Sequence, residues 1–385
     1  MIGLGPDVLT TDAGDVRARH LAYGHAVGRL TMIVSSFRRD RLRPASLSPE
    51  LTIIPTDSRN RWTFIADAVR AGHRVCRESR VDLIVTQDPF ATALVGYILK
   101  RRHRVPLLVG NHSQFLDNAH WIGERPVRYR LFNALGHRMI HAADALRVVN
   151  PAEREKYIRA GVRGDRISFI PTPVPLDRFL ADVPPDVLQE IRLRLDARGA
   201  LLLWVGNPAQ IVKDLPTLFD AIAHVRAVFP ETVLALAGDF AKSPHAELAR
   251  LNQPASGLRF LGHVSHNALP AYYQAADLYV HSSRYEGLAK VMVEAAASGV
   301  PIVTTAVPGI EAIVDDGVTG LIAPIGDGRA LADRILDLLR DGTRRHEMGR
   351  RARELARERF SRERQIAAIA DMWRAVVDRS AKGRL

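Results

Sequence analysis

The chain has 385 residues, 47% hydrophobic and 25% charged, the balance of a folded globular protein of about two domains, which excludes the disordered and fibrous classes. A single cysteine, Cys76, rules out a disulfide framework and a cysteine-built zinc cluster, and no apolar run approaches the roughly 18 residues of a membrane-spanning helix. The formal net charge of +12 raises anionic partners, although 48 of the 54 basic residues are Arg and are spread along the chain, a bias that gene base composition also produces.

From the N-terminus, apolar runs of strand length alternate with helical stretches. Strands are expected at 30–35, 51–55, 82–86, 106–110, 145–149 and 167–171, with helices at 15–27, 61–79, 90–101, 126–142 and 152–160. Continuous apolar strands between helices imply a parallel sheet covered on both faces. Residues 170–186 then carry Pro171, Pro173, Pro175, Pro184 and Pro185. Proline at that density stops helices and sheet pairing, so the segment reads as a linker. The alternation restarts with strands at 201–205, 232–237, 258–261, 278–282, 301–305 and 321–323. Helices are expected at 215–228, 266–275, 290–298, 329–340, 344–359 and 362–377. The fold class is therefore α/β, two Rossmann-like domains with parallel sheets. Ligands in such sheets bind at the carboxyl ends of the strands, which makes a cleft between the domains the default site.

Several chemical signatures are absent. There is no P-loop, no Gly-x-Ser-x-Gly elbow and no His-Glu-x-x-His. Gly3-Leu4-Gly5 lacks a third glycine and a preceding strand, so a dinucleotide fingerprint is not supported. No Asp-x-Asp occurs, which argues against a diphosphate clamped by a carboxylate-bound metal, and no metal site is expected. The first residues lack a basic stretch followed by an apolar run, so a cytoplasmic protein is expected.

The richest segment runs from Ser282 to Pro301. A strand ends at Ser282-Ser283, a turn carries Glu286-Gly287, and a helix begins near Ala289-Lys290 and stops at Gly299. A helix start at a strand's carboxyl end offers backbone N–H groups and a positive dipole end, a ready phosphate site. Lys290 in the first turn opposes that dipole, which makes sense where an anion is held. The alternative is that Lys290 and Glu294 are merely solvated surface residues.

Glu286 and Glu294 enclose seven residues, and the surrounding Ser-x-x-Glu-Gly…Glu-Ala…Gly-Val-Pro-Ile-Val resembles family 4 of the retaining GT-B glycosyltransferases. Further pieces agree in order: Val205-Gly206 followed by Lys213-Asp214-Leu215-Pro216, Ala237-Gly238-Asp239, Phe260-Leu261-Gly262-His263-Val264, and the Gly-rich stretch from Val307-Pro308-Gly309 to Thr319-Gly320-Leu321. The resemblance spans about residues 201–339. It implies an acceptor-binding domain over 1–178, a donor domain over 179–360 and a last helix within 361–385 that crosses back to the first domain. It implies transfer of a sugar from a nucleotide-diphosphate sugar to a hydroxyl of a glycan, glycolipid or small molecule, without a metal or bound cofactor.

The roles that the resemblance implies are specific. Glu294 would hold ribose hydroxyls, and Glu286 would bond and orient the donor sugar. The backbone of Gly287, Leu288, Ala289, Lys290 and Val291 would cradle the diphosphate, Lys213 would neutralise it as it leaves, and Val264 would meet the base. Gly206, Asn207 and Gly309 would lie in loops beside the donor. Asn207 departs from the family, which usually carries an Arg there; a neutral amide loses electrostatic stabilisation. That departure keeps open a catalytically silent sugar-nucleotide-binding protein, and another GT-B activity such as an epimerase also stays open. In the first half, residues 11–20 resemble the family's glycine loop, with Gly14 near donor or acceptor, or a plain turn glycine. His112 resembles a histidine that contacts the donor sugar, or is a loop residue. Asp88 binds acceptor hydroxyls or starts a turn before Pro89. The basic run 100–104 and the Arg-interleaved stretch 125–141 admit an anionic membrane surface, which would make the protein peripheral at the membrane's inner face. Nucleic acid is not an expected partner, since only net charge favours it.

Overall fold

A computed structural model describes residues 1–10, 15–240 and 257–383. Gly14 lies outside the described residues, as do 11–13. The apolar runs form two separate sheets, one in each of two compact units: Met1–Pro173 together with the chain from Arg362 onward, and Val174–Ser361.

The first sheet contains β1 (Ile2–Gly3), β2 (Leu30–Val34), β3 (Ala45–Ser48), β4 (Leu51–Pro55), β5 (Ile84–Thr86), β6 (Leu107–Asn111), β7 (Ala145–Val148) and β8 (Ile167–Phe169). Their order across the sheet is β3-β4-β2-β1-β5-β6-β7-β8. All pairings are parallel except β3 with β4. Two elements correct the sequence expectation. A strand does precede Leu4-Gly5, because Ile2–Gly3 pairs with both β2 and β5; two residues are too short a run to read as a strand. The antiparallel edge strand Ala45-Ser46-Leu47-Ser48 is polar on alternate positions and bulged, so it lacks the apolar run of its neighbours.

The second sheet contains β9 (Leu201–Val205), β10 (Val233–Ala237), β11 (Leu258–Gly262), β12 (Leu278–His281), β13 (Ile302–Thr305) and β14 (Gly320–Ala323), in the order β11-β10-β9-β12-β13-β14 and parallel throughout. β9 shows why its strands read as unbroken apolar runs. Leu202 and Trp204 face one buried cluster while Leu201, Leu203 and Val205 face another, since successive side chains point to opposite faces and both faces are covered.

The proline-rich stretch is not bare linker. It holds a turn of helix at Asp177–Leu180 and leads into the Pro185–Arg194 helix, which takes proline at its first turn where the N–H has no partner to lose. Val174, Leu176 and Phe179 are buried in the second unit's core, so the boundary falls at 173/174 rather than 178/179. The last helix, Arg362–Ala381, belongs to the first unit: Ile369, Met372, Trp373 and Val376 join its core beside Tyr23, Leu30 and Val85. Among the described residues no helix is long and apolar enough to cross a membrane.

A cavity of about 420 Å³ in the first unit is lined by Thr31, Val75, Leu83 and Trp373. It sits at the amino ends of β2 and β5, where the two-residue β1 leaves the width of a strand unfilled. This is the end of the sheet away from the ligand-binding one.

Trp373, 6% exposed, packs edge-on against Tyr23 with ring centroids 5.7 Å apart. Replacing it with alanine should destabilise the first unit by about 3–5 kcal/mol through lost burial and a residual cavity. Urea unfolding followed by circular dichroism measures this.

Candidate active site in the second unit

The order of the second sheet reverses between β9 and β12, with β10 and β11 on one side and β13 and β14 on the other. Loops that leave such a pair diverge and open a crevice at their carboxyl ends. The close approach there demands glycine: a Cβ on Gly238, after β10, would sit 2.3 Å from the Gly206 carbonyl oxygen.

The loops that follow β9 and β12 are fastened to each other four times. Ser282 Oγ donates to the Lys213 carbonyl at 2.7 Å and the Arg284 N–H to the Val212 carbonyl at 2.9 Å. The Arg284 guanidinium lies 3.0 Å from Asp214, and the Lys213 ammonium 2.6 Å from Glu286 Oε1. Lys213 stands in a 3-10 turn, Ile211–Lys213, which Asp214 closes in the left-handed conformation at φ 45° before the Leu215–Val228 helix begins.

Glu286 is the hub. Its Oε1 accepts from Lys213 Nζ, from Ser283 Oγ at 2.8 Å and from His281 Nε2 at 3.1 Å. Burial would raise its carboxyl pKa, but the His281 hydrogen bond and the Lys213 charge outweigh burial and hold it at about 2. His281 is wholly buried, and burial pushes its pKa down against the pull of Glu286. The neutral ring donates from Nε2 to Glu286, which leaves Nδ1 to accept from the Tyr279 hydroxyl 3.2 Å away. Burial pushes the Tyr279 phenol well up, so it stays a donor.

Glu294 lies eight residues on, inside the Lys290–Ala297 helix, and is 5% exposed, which removes its reading as a solvated surface residue. Its carboxylate is held by His266 Nε2 at 3.1 Å and lies 3.3 Å from the Tyr273 hydroxyl. That helix has no side-chain cap at Ala289, its N-cap residue. The Lys290 N–H turns back to the Leu288 carbonyl at 2.9 Å. At the other end Gly299, at φ 76°, closes a Schellman pair: its N–H bonds to Ala296 O and that of Val300 to Ala295 O. Val264 packs half-buried on the core after β11, and Gly309 takes φ 84° ahead of a 3-10 turn. Asn207 is exposed, and its side-chain oxygen accepts the Ala209 N–H at 3.0 Å, so it serves its own turn.

In the first unit, His112 follows β6 and lies 3.5 Å from Thr172 Oγ1. The preceding Asn111 anchors the loop, donating to Glu153 at 3.0 Å and to the Tyr157 hydroxyl at 2.6 Å. Asp88 is buried, and its oxygens accept from Phe90 N, Thr92 N and Thr92 Oγ1. Both oxygens serve the start of the Ala91–His103 helix, so the geometry supports the turn reading of this residue. Among the described residues no group of three or more His, Cys, Asp or Glu could hold a metal ion.

The sequence singles out Lys213 and Glu286, whose side chains the structure brings together, but not the side chains around the two carboxylates: His281, Tyr279, His266 and Tyr273. A histidine inside the otherwise apolar strand Leu278-Tyr279-Val280-His281 was the available signal for the first pair.

Comparison with known proteins agrees with this architecture. Residues 199–341 match the model of the glycosyl transferases group 1, and residues 18–178 that of glycosyltransferase family 4. A D-inositol 3-phosphate glycosyltransferase from Xylanimonas cellulosilytica is 31% identical over 80% of this chain and 75% of its own length. The alpha-monoglucosyldiacylglycerol synthase of Streptococcus pneumoniae is 25% identical over 64% of this chain and 57% of its own. Among solved structures, sucrose-phosphate synthase from Thermosynechococcus elongatus superposes with a TM-score of 0.79 at 23% identity, covering 98% of this chain and 99% of that one. Anabaena HepE in complex with UDP-glucose gives 0.73 at 20% identity over 97% and 99%. The two parallel-sheet units are thus those of a GT-B glycosyltransferase, and the chain belongs to glycosyltransferase family 4.

Because the Glu286 pKa is depressed from 4.5 to about 2, the stability it contributes is complete above about pH 5 and is lost as pH falls toward 2. The stability gap between the parent and Glu286→Gln should therefore be constant from pH 7 to 5 and narrow below that. Urea midpoints at each pH measure it; a gap that widens on acidification contradicts the assignment.

Proposed function

We propose that the protein moves a sugar from a nucleoside-diphosphate sugar to an acceptor hydroxyl with retention of anomeric configuration, using no metal ion or bound cofactor. The observation that carries the reading is the Lys213–Glu286 pair, set at the reversal of the second sheet on the loop that enters the Lys290–Ala297 helix. A buried ammonium and a helix N-terminus are suited to a diphosphate. An ionised carboxylate is suited to sugar hydroxyls.

In the reaction, the bond between the anomeric carbon and the phosphate oxygen breaks and a bond to the acceptor oxygen forms on the same face. The acceptor proton passes to the departing phosphate oxygen, so the products are the glycoside and a nucleoside diphosphate. Lys213, with the backbone of Gly287–Val291, stabilises the negative charge that grows on the leaving group. Glu286 accepts hydroxyls of the donor sugar and orients it. Glu294, fixed by His266 and Tyr273, takes the ribose hydroxyls, and Val264 meets the base. With Asn207 spent on its turn, leaving-group stabilisation falls to Lys213 and the helix end.

HepE, crystallised with UDP-glucose, supports that compound as the first donor to test. The D-inositol 3-phosphate glycosyltransferases and the glucosyldiacylglycerol synthase leave both small-molecule and lipid acceptors in view. We place the protein in the cytoplasm, with the anionic inner face of the membrane as a further contact.

UDP-glucose at a hundredfold excess over its dissociation constant should stabilise the fold by about 2.7 kcal/mol, read as a rise in melting temperature. Lys213→Ala and Glu286→Gln should each cut nucleoside-diphosphate release by about 10²–10³-fold while circular dichroism stays unchanged. Equal turnover by the parent and both variants would end the catalytic reading and leave a binding protein.

A further inference from the structure

The most exposed large apolar side chain among the described residues lies in the first unit. Trp62 is 85% exposed, in the loop that follows β4 at its carboxyl end. The loop is firmly built: Asn60 Oδ1 accepts the N–H groups of Trp62 at 2.9 Å and Thr63 at 3.2 Å, and Thr63 Oγ1 accepts that of Arg59 at 3.1 Å. The loop that leaves the neighbouring β2 is bound to it. The Arg38 N–H donates to the Ser58 carbonyl at 3.1 Å, the Ser58 N–H to the Ser36 carbonyl at 2.9 Å, and the Asp57 N–H to Ser36 Oγ at 2.9 Å.

Together these loops present Arg38, Arg41, Arg59 and Arg61 to solvent, none with a carboxylate partner among the described residues. Arg39 reaches Asp40 at only 3.8 Å and lies over the Phe37 ring. Four guanidinium groups without a carboxylate partner, on the same loops as an exposed indole, are suited to recognise two things at once. The guanidinium forks match carboxylate or phosphate, and the indole offers a flat apolar surface to a pyranose ring.

We propose that these loops form the acceptor site and that the acceptor is an anionic saccharide, one carrying a phosphate or carboxylate. The inference rests on the glycosyltransferase reading and adds its substrate class. A membrane surface fits less well: Trp62 is the one strongly exposed apolar side chain of these loops among the described residues, whereas interfacial binding scales with buried apolar area. The carboxyl end of a parallel sheet is also where soluble ligands sit.

The other tryptophans, Trp121, Trp204 and Trp373, are each at most 6% exposed. Acrylamide quenching of the intact chain therefore reports Trp62. Glucose 6-phosphate and digalacturonate should reduce that quenching about twofold, with an effect that fades as salt rises, and Arg59→Gln with Arg61→Gln should weaken the apparent affinity about tenfold. Calorimetry with Trp62→Ala should show a similar loss. Four results overturn the proposal: no protection, equal protection by glucose or maltose, equal protection by inorganic phosphate, or protection only by vesicles containing anionic phospholipid. UDP-glucose stabilisation of the parent is measured in parallel; its failure counts against the donor reading alone, since the acrylamide experiment contains no donor.

Discussion

The crevice of the second unit turns on a largely buried ion pair placed where the sheet reverses, with the more exposed Arg284–Asp214 pair tying the same loops. Lys213 and Glu286 come from loops 73 residues apart, and each is largely withdrawn from water. Either charge alone in that position would be costly, because burying an unpaired ion outweighs what most packing contacts return. Together they hold the two loops in one register, and the bonds from the Ser282 hydroxyl and the Arg284 N–H to backbone carbonyls add to the same constraint. The Lys290–Ala297 helix therefore starts from a fixed point. On the proposed reading, a diphosphate there would compete with Glu286 for Lys213 and so couple ligand binding to loop geometry through one ammonium.

His281 and Tyr279 explain why the pair survives without neutralising itself. A carboxylate moved out of water tends to take up a proton. Three donors on one oxygen prevent this at Glu286, and one of them is an imidazole that burial keeps neutral. A charged His281 would add a second cation beside Lys213. A neutral one with its far nitrogen occupied by a tyrosine hydroxyl donates a hydrogen bond without that charge, so the site keeps a balanced pair.

Much of this was legible beforehand, for physical reasons. Strands such as Leu201–Val205 are covered on both faces, so their sequences are apolar at every position and stand out. The spacing of Glu286 and Glu294 stands out in the sequence, and so does Gly299 at the end of the helix that carries Glu294. What escaped notice was set by contacts rather than by local pattern. β1 is a strand because β2 and β5 flank it, not because two residues prefer extension. His266 and Tyr273 matter because a turn and a helix distant in sequence from Glu294 fold against it. Asp88 pointed the other way: its residue type suggested ligand binding, and its hydrogen bonds went to a helix end.

The same distinction between local pattern and contacts bears on the net charge. A basic composition says little while its cations are answered locally. On the Gly342–Arg359 helix, Arg350 is matched by Glu347 and Glu354, Arg351 by Glu347, and Arg359 by Asp315. Such exposed pairs cancel at short range and project little field beyond a Debye length. In the loops after β2 and β4, Arg39 stands 3.8 Å from Asp40, whereas Arg38, Arg41, Arg59 and Arg61 have no carboxylate partner among the described residues. Unpaired guanidinium groups on the same loops as an exposed indole, at the carboxyl end of a parallel sheet, are suited to an anion, and the proposal rests on that placement rather than on the excess charge itself.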